Sequence, residues 1–249
     1  MHPFVHLGPI TLPSYGLCTM VGTVFALVAV FQLRKKGSPI SADNLSDSLI
    51  WAILLGFLGA KLLYFIVDPP TALPKNWTEW KDLIFAGLVF YGGLIGGLAG
   101  LFIVSRKTKI NFFTYTDLYA PCFCLAHAGG RMGCLMAGCC YGIEHTGFCS
   151  VVLNGVSRLA TQPMEAAFLV LLSGVLTLIF LKKPNRGTVT GWYMTLYAVW
   201  RFVIEFFRAD ERGAVGFLST SQFISLFILA VGIWLLVRAP KANNDFIAA

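Results

Sequence analysis

The stretch Pro163-Met-Glu-Ala-Ala-Phe-Leu-Val-Leu-Leu-Ser-Gly-Val-Leu-Thr-Leu-Ile-Phe-Leu181 decides the class of fold. It holds one charged residue, Glu165, and runs directly into Lys182-Lys183. A helix that is apolar all round belongs in a large core or in lipid, and about 20 such residues match the hydrocarbon thickness of a bilayer. The same pattern recurs on both sides of it. With 163–181, apolar runs lie at roughly 14–33, 47–67, 83–105, 114–137, 188–207 and 221–237. They predict an all-α polytopic membrane protein with about seven transmembrane helices, forming one membrane domain over residues 1–249. Composition agrees: 57% of residues are hydrophobic and 12% charged, against roughly 25% charged in soluble domains. The first run has neither a basic n-region nor a small-residue cleavage site, so it reads as a retained helix.

Charge placement gives an orientation. Arg34, Lys35, Lys36, Arg106, Lys107, Lys109, Lys182, Lys183, Arg186, Arg238 and Lys241 lie in one set of connections, eleven in all. Lys75, Lys81, Arg158, Arg208 and Arg212 lie in the other set, five in all. The positive-inside rule puts the first set in the cytoplasm, so the N-terminus is expected outside and the C-terminus inside. Trp77 and Trp80 suit an outer interface. The net charge of +7 is used by this loop asymmetry, and no nucleic-acid partner is expected.

Lys61, Arg131 and Arg201 remain inside the runs. Ionisable groups at membrane depth usually serve function. For Lys61 the other reading is a structural pair with a carboxylate such as Asp117. Arg131 belongs to His127-Ala-Gly-Gly-Arg-Met-Gly-Cys-Leu-Met-Ala-Gly-Cys-Cys-Tyr-Gly142. Glycines leave much of one helix side bare, open to a helix or a lipid head group. His127 and Arg131, four apart, share a face. A guanidinium in such a cleft suits a phosphate, because its planar fork binds two oxygens at once; the plainer reading pairs it with a buried Glu. Trp200-Arg-Phe-Val-Ile-Glu-Phe-Phe-Arg-Ala-Asp210 places Arg201, Glu205 and Arg208 on one charged face, with an internal Arg201–Glu205 pair as the plainer reading. Phe90-Tyr-Gly-Gly-Leu-Ile-Gly-Gly97 carries two small-xxx-small pairs, usually a sign of helix packing.

Of seven cysteines, five lie in or just after the fourth run: Cys122, Cys124, Cys134, Cys139 and Cys140; Cys18 and Cys149 lie outside it. Neither Cys122-x-Cys124 nor Cys139-Cys140 has the two to four intervening residues common between zinc ligands. Three readings stay open: buried apolar thiols, a disulfide from Cys139 or Cys140 to Cys149 on the oxidising side, or a redox or metal site.

Five segments, in this order and spacing, resemble the prolipoprotein diacylglyceryl transferases of the bacterial cytoplasmic membrane. They are Leu7-Gly-Pro-Ile-Thr-Leu-Pro-Ser-Tyr-Gly16, Phe90-Tyr-Gly-Gly-Leu-Ile-Gly96, Gly130-Arg-Met-Gly133 continuing to Gly142, Thr161-Gln162 with Glu165, and Arg201-Phe-Val-Ile-Glu-Phe-Phe-Arg208 followed by Asp210. The resemblance implies transfer of the diacylglyceryl group of phosphatidylglycerol to the thiol of a lipobox cysteine in a secreted precursor, with glycerol phosphate leaving. The implied partners are thus phosphatidylglycerol as membrane lipid and a lipobox-containing precursor, without cofactor or metal. Arg131 and Arg201 match the family's essential arginines, and Tyr15, Tyr197 and Glu205 its other site residues; Gly142 closes its signature. Gly92, Gly93, Gly130, Cys134, Glu165 and Arg208 fall in the matched segments as candidate substrate-binding positions. Where the family motif has His, this chain has Tyr91; Cys134 stands for its Asn and Cys139 for its Glu. The thiol's proton then falls to His127, with Tyr91 orienting the substrate, or to Tyr91 itself; the other readings are a His127 that only packs and donates to a backbone carbonyl, and a divergent relative with another acceptor. A membrane thiol-redox or metal-handling protein and a non-catalytic lipid-binding relative are the other readings.

Overall fold

The computed structural model describes residues 4–8, 10–67, 75–80, 88–153, 155–210, 213–215 and 217–238. Seven long helices stand among them: α1 (Ser14–Gly37), α2 (Ala42–Val67), α3 (Phe90–Thr108), α4 (Phe112–Ala137), α5 (Thr161–Leu181), α6 (Thr188–Glu205) and α7 (Thr220–Arg238). Residues 83–87 of the third apolar run lie outside the described set.

Local chemistry sets the helix ends. Pro13, its φ held at −67°, leads into α1, and Arg34, Lys35 and Lys36 fill the last turn, where cations complement the helix dipole. Pro39 follows and stops it. Asp117 serves α6 in the way an N-cap does. Its carboxylate accepts from the Gly187 and Thr190 backbone N–H groups at 2.6 and 2.7 Å and from the Thr190 hydroxyl at 2.6 Å. Lys61 is buried, with Nζ 5.4 Å from the Tyr64 ring centroid.

Four helices, α1, α2, α5 and α7, are long and apolar enough to cross a bilayer, with 18-residue windows of mean hydropathy between 2.0 and 2.3. Their outward surface is apolar: Phe25, Ile53, Leu171 and Phe227 are each more than 60% exposed. The buried side chains include Ser48, Gln162, Glu165, Arg201, Ser221 and Gln222. Polar groups inside and apolar groups outside is the arrangement that lipid, not water, favours.

The described residues form two compact units, 39–115 and 1–38 with 116–249. In the first, α2 and α3 run antiparallel along a glycine seam. A Cβ on Gly92 would collide with the Gly59 carbonyl, one on Gly96 with the Leu55 carbonyl, and one on Gly100 would lie 2.5 Å from the Trp51 carbonyl. In the second unit α1 and α4 cross with Gly22 against Gly129, where a Cβ on either would meet the other's Cα within 2.8 Å. Ser173 of α5 donates to the Pro121 carbonyl inside α4 at 2.7 Å.

Three antiparallel hairpins complete the second unit: β1 (Phe4–Leu7) with β2 (Ile10–Pro13), β3 (Ser150–Leu153) with β4 (Val156–Leu159), and β5 (Ala214–Val215) with β6 (Leu218–Ser219). They precede α1, link α4 to α5 and link α6 to α7. All lie in the set of segments poor in Lys and Arg.

Candidate active site

The site forms where the C-terminal part of α4, the first turn of α5 and the last turns of α6 meet. Glu165 is its hub. Helical periodicity turns it inward from α5, and its side chain is fully buried. Its Oε1 takes Arg131 Nη2 at 2.9 Å and the Tyr197 hydroxyl at 3.0 Å; its Oε2 lies 3.9 Å from Arg208 Nη1. Arg201 and His127 are within electrostatic reach of the same carboxylate. One buried anion thus gathers three arginines. Removing one partner of such a pair leaves an uncompensated buried charge, which typically costs about 3–5 kcal/mol.

The arginines differ in what they have left to offer. Arg208 is committed: Nε and Nη2 grip Asp210 at 2.9 and 3.1 Å, and it also hydrogen-bonds the Cys140 sulfur. Arg201 uses Nη2 on Glu205, at 2.8 Å, and on the Ser221 hydroxyl, at 2.9 Å. Glu205 accepts a further bond from Ser219 at 2.9 Å. Arg131 Nε and Arg201 Nη1 remain buried with no hydrogen-bond partner. A buried donor left unsatisfied costs roughly 1–3 kcal/mol, and these two donors belong to one cluster.

The glycines around Arg131 divide by role. Gly129 and Gly133 are closed: α1 lies against both, and a Cβ on Gly133 would sit 2.9 Å from the Tyr15 ring and 3.0 Å from its carbonyl. Gly130 is open, with nothing within 4 Å of its Cβ position. Gly142 fixes the loop, since a Cβ there would meet the Leu159 and Phe207 carbonyls at 2.6 and 2.9 Å. Ile143 N–H to the Phe207 carbonyl and Ala209 N–H to the Tyr141 carbonyl tie that loop to the end of α6.

His127 lies in an aromatic setting. Its ring is edge-on to Tyr197, with centroids 5.3 Å apart, and 6.0 Å from Phe123. Tyr15, His127, Gly130, Arg131, Cys134, Gly142, Glu165, Tyr197, Arg201, Glu205 and Arg208 all belong to the second unit. Tyr91, Gly92 and Gly93 belong to the first, where Tyr91 is 41% exposed at the start of α3 and Gly92 packs on α2.

None of the seven cysteines is in a disulfide, so the bridge from Cys139 or Cys140 to Cys149 is not formed. The sulfur that both approach is Cys134, all three lying within 4.8 Å of one another. The left-handed turn at Gly138 (φ 75°) and Cys140 (φ 62°) folds the chain back to bring them together. A hydrogen bond from the Cys134 thiol, and then Arg208, draw the Cys140 thiol below its usual range. Sequence reading missed this convergence, although Cys134-x4-Cys139 was the spacing that carried it. It also missed Ser219 and Ser221, ordinary hydroxyl residues with no pattern to single them out.

Residues 3–238 match the family model described as prolipoprotein diacylglyceryl transferase. Among curated relatives, the phosphatidylglycerol–prolipoprotein diacylglyceryl transferase 2 of Clostridium perfringens is 38% identical over 229 residues, 89% of each chain. The corresponding enzyme of Clostridium tetani is 35% identical over 231 residues, 90% of this chain and 92% of its own. That of Dehalococcoides mccartyi is 31% identical over 247 residues, 96% and 94% of the two chains. A match of this extent, over a site of buried arginines held by one glutamate, leads to one statement: the chain belongs to the prolipoprotein diacylglyceryl transferase family.

Proposed function

We propose that this protein transfers the diacylglyceryl group of phosphatidylglycerol to the thiol of a lipobox cysteine in a prolipoprotein, at the bacterial cytoplasmic membrane. The observation that carries the site assignment is the pair of buried, unpartnered donors, Arg131 Nε and Arg201 Nη1. The phosphodiester of the lipid is the acceptor they lack. As the acceptor sulfur attacks the glyceryl carbon that bears the phosphate, the C–O bond breaks and glycerol phosphate leaves with one more negative charge than it had in the lipid. Preorganised donors in a site shielded from water stabilise that charge at the moment it develops. Glu165 and Tyr197 hold Arg131 ready, and Ser221 and Glu205 hold Arg201. Open space at Gly130 gives the head group room beside Arg131.

His127 and Tyr91 are the two side chains that this reading offers for the thiol's proton, with Tyr15, Cys134, Gly142 and Arg208 shaping the substrate pocket. Seven spans with the N-terminus outside put the hairpin-bearing connections on the outer face, where a secreted precursor arrives; the Lys/Arg count supports that orientation. The direct test is transfer from labelled phosphatidylglycerol to a lipobox peptide by the purified full-length protein. A labelled thioether on the peptide cysteine is the expected product. No label on the peptide, from protein that is folded and membrane-embedded, would falsify the proposal.

A further inference from the structure

We propose that Cys134, Cys139 and Cys140 form a three-thiolate site for a thiophilic d10 cation such as zinc, with its fourth position taking the acceptor thiol. This rests on the transferase reading above, and it departs from the expectation of a metal-free protein.

The sulfurs already lie within 4.8 Å of one another. Tetrahedral zinc with Zn–S bonds of about 2.3 Å sets its sulfurs about 3.8 Å apart, so an ion closes the cluster with shifts of about 1 Å or less. Four residues separate Cys134 from Cys139, within the usual range for paired zinc ligands, and Cys140 follows directly.

The loop is built to hold this shape. Cys140 adopts φ 62°, a conformation that persists in non-glycine residues only where the surroundings enforce it, commonly at functional sites. Buried Thr161 donates to the Cys140 carbonyl at 3.1 Å, buried Gln162 to the Cys139 carbonyl at 2.7 Å, and Cys139 N–H to the Cys134 carbonyl at 3.1 Å. Cys139 is exposed while Cys134 and Cys140 are half-buried, so the cluster has an open side. Three protein ligands and one open position is the pattern of a catalytic zinc, whereas a structural zinc is closed by four.

Charge also fits. Three thiolates on a divalent cation carry one net negative charge. Arg208 hydrogen-bonds Cys140, and Arg131 acts electrostatically on Cys134 and Cys140. The arginine proposed to hold the phosphate therefore stands beside the place where the nucleophile would be held.

A thiol that coordinates such an ion is deprotonated outright. The acceptor R–SH would bind as thiolate and release its proton to water. Its sulfur then forms the S–C bond to the glyceryl carbon as the C–O bond to phosphate breaks. The electron pair leaves on glycerol phosphate, and the neutral thioether departs from the ion, whose oxidation state is unchanged. No side-chain base is needed.

The test loads purified full-length protein, in detergent micelles, with zinc or with cobalt(II) as a spectroscopic substitute. The expected result is one ion per chain and intense sulfur-to-cobalt charge-transfer bands. A lipobox peptide should shift those bands; its Cys→Ser version should not. Cys134→Ser and Cys140→Ser should each weaken binding by at least about tenfold, while Cys149→Ser should not change it. Cys134→Asn serves as a second variant if serine disturbs the fold. Absence of thiolate bands, bands blind to the peptide thiol, or full turnover after chelation would each overturn the inference and leave the transferase reading standing. Metal and peptide binding without any lipid transfer would support the three-thiolate site while sinking the transferase reading.

Discussion

Two glycine-rich regions of this molecule look alike in sequence and do different work. Along α3, Gly92, Gly96 and Gly100 are filled by α2, whose backbone occupies the space their side chains would need. Along α4, Gly129 and Gly133 are closed in the same way by α1, but Gly130 between them has nothing within 4 Å of its Cβ position. In lipid, helices gain little from burying apolar surface against each other, so close backbone approach through small residues is the main source of affinity. Glycine alone therefore signals packing. Only where a buried charge with spare donors adjoins an unfilled glycine does the same composition signal a ligand.

The most severe way to break that contrast is to remove the charges. Arg131→Ala and Arg201→Ala should each lower turnover by about 10²–10³, the usual loss when an oriented donor to a developing anion is deleted. Turnover is compared per folded protein, because removing either arginine takes a partner from a buried carboxylate, Glu165 or Glu205. Lysine at either site should restore little, since it lacks the planar fork. Near-normal label transfer in both alanine variants would return the arginines to a structural role.

Next comes the closed seam. Gly96→Val should destabilise the protein by roughly 1–3 kcal/mol or more through overpacking, because a Cβ there collides with the Leu55 carbonyl. The readout is thermal unfolding in detergent, with the Michaelis constant for lipid unchanged in the folded fraction. An unchanged melting temperature would show that α2 and α3 do not need that approach.

Much of this was legible in the sequence. The helices fall where the apolar runs lie, because bilayer thickness imposes a length that composition displays. Arg131 and Arg201 stood out because charge is rare in such helices. Glu165 was visible only as one matched position. Its hub role depends on three elements meeting, α4, α5 and α6, and no local pattern encodes that. The cysteine cluster was missed for a similar reason: the left-handed turn at Gly138 and Cys140 brings the thiols together, and spacing was judged on adjacent pairs alone.

His127 sharpens the chemistry of the open region. Its ring packs against Phe123 and Tyr197, and a metal-held acceptor thiolate leaves it no proton to take. His127→Gln should then reduce turnover by less than about tenfold, well short of the 10²–10⁴ that general-base catalysis contributes, with the pH–rate profile unchanged. Loss of one limb of that profile would reassign proton transfer to His127. Loss of turnover in Tyr91→Phe would assign it to the tyrosine.

The smallest effect separates open from merely empty. Gly130 and Gly174 both lie inside helices, on α4 and α5, and neither has an atom within 4 Å of its Cβ position. Alanine in place of a helical glycine stabilises by roughly 0.5–1 kcal/mol where there is room, by removing freedom from the unfolded chain. Gly130→Ala and Gly174→Ala should therefore raise the melting temperature by similar small amounts. Their kinetics should differ. Gly174 lies more than two turns along α5 from Glu165, and its variant should turn over lipid as the parent does. A methyl group at Gly130 stands beside Arg131, in the space assigned to the lipid head group, so the Michaelis constant for phosphatidylglycerol should rise severalfold with little change in stability. Equal kinetics in the two variants would show that the gap at Gly130 is an accident of packing, and the head group would have to reach Arg131 Nε and Arg201 Nη1 from another side.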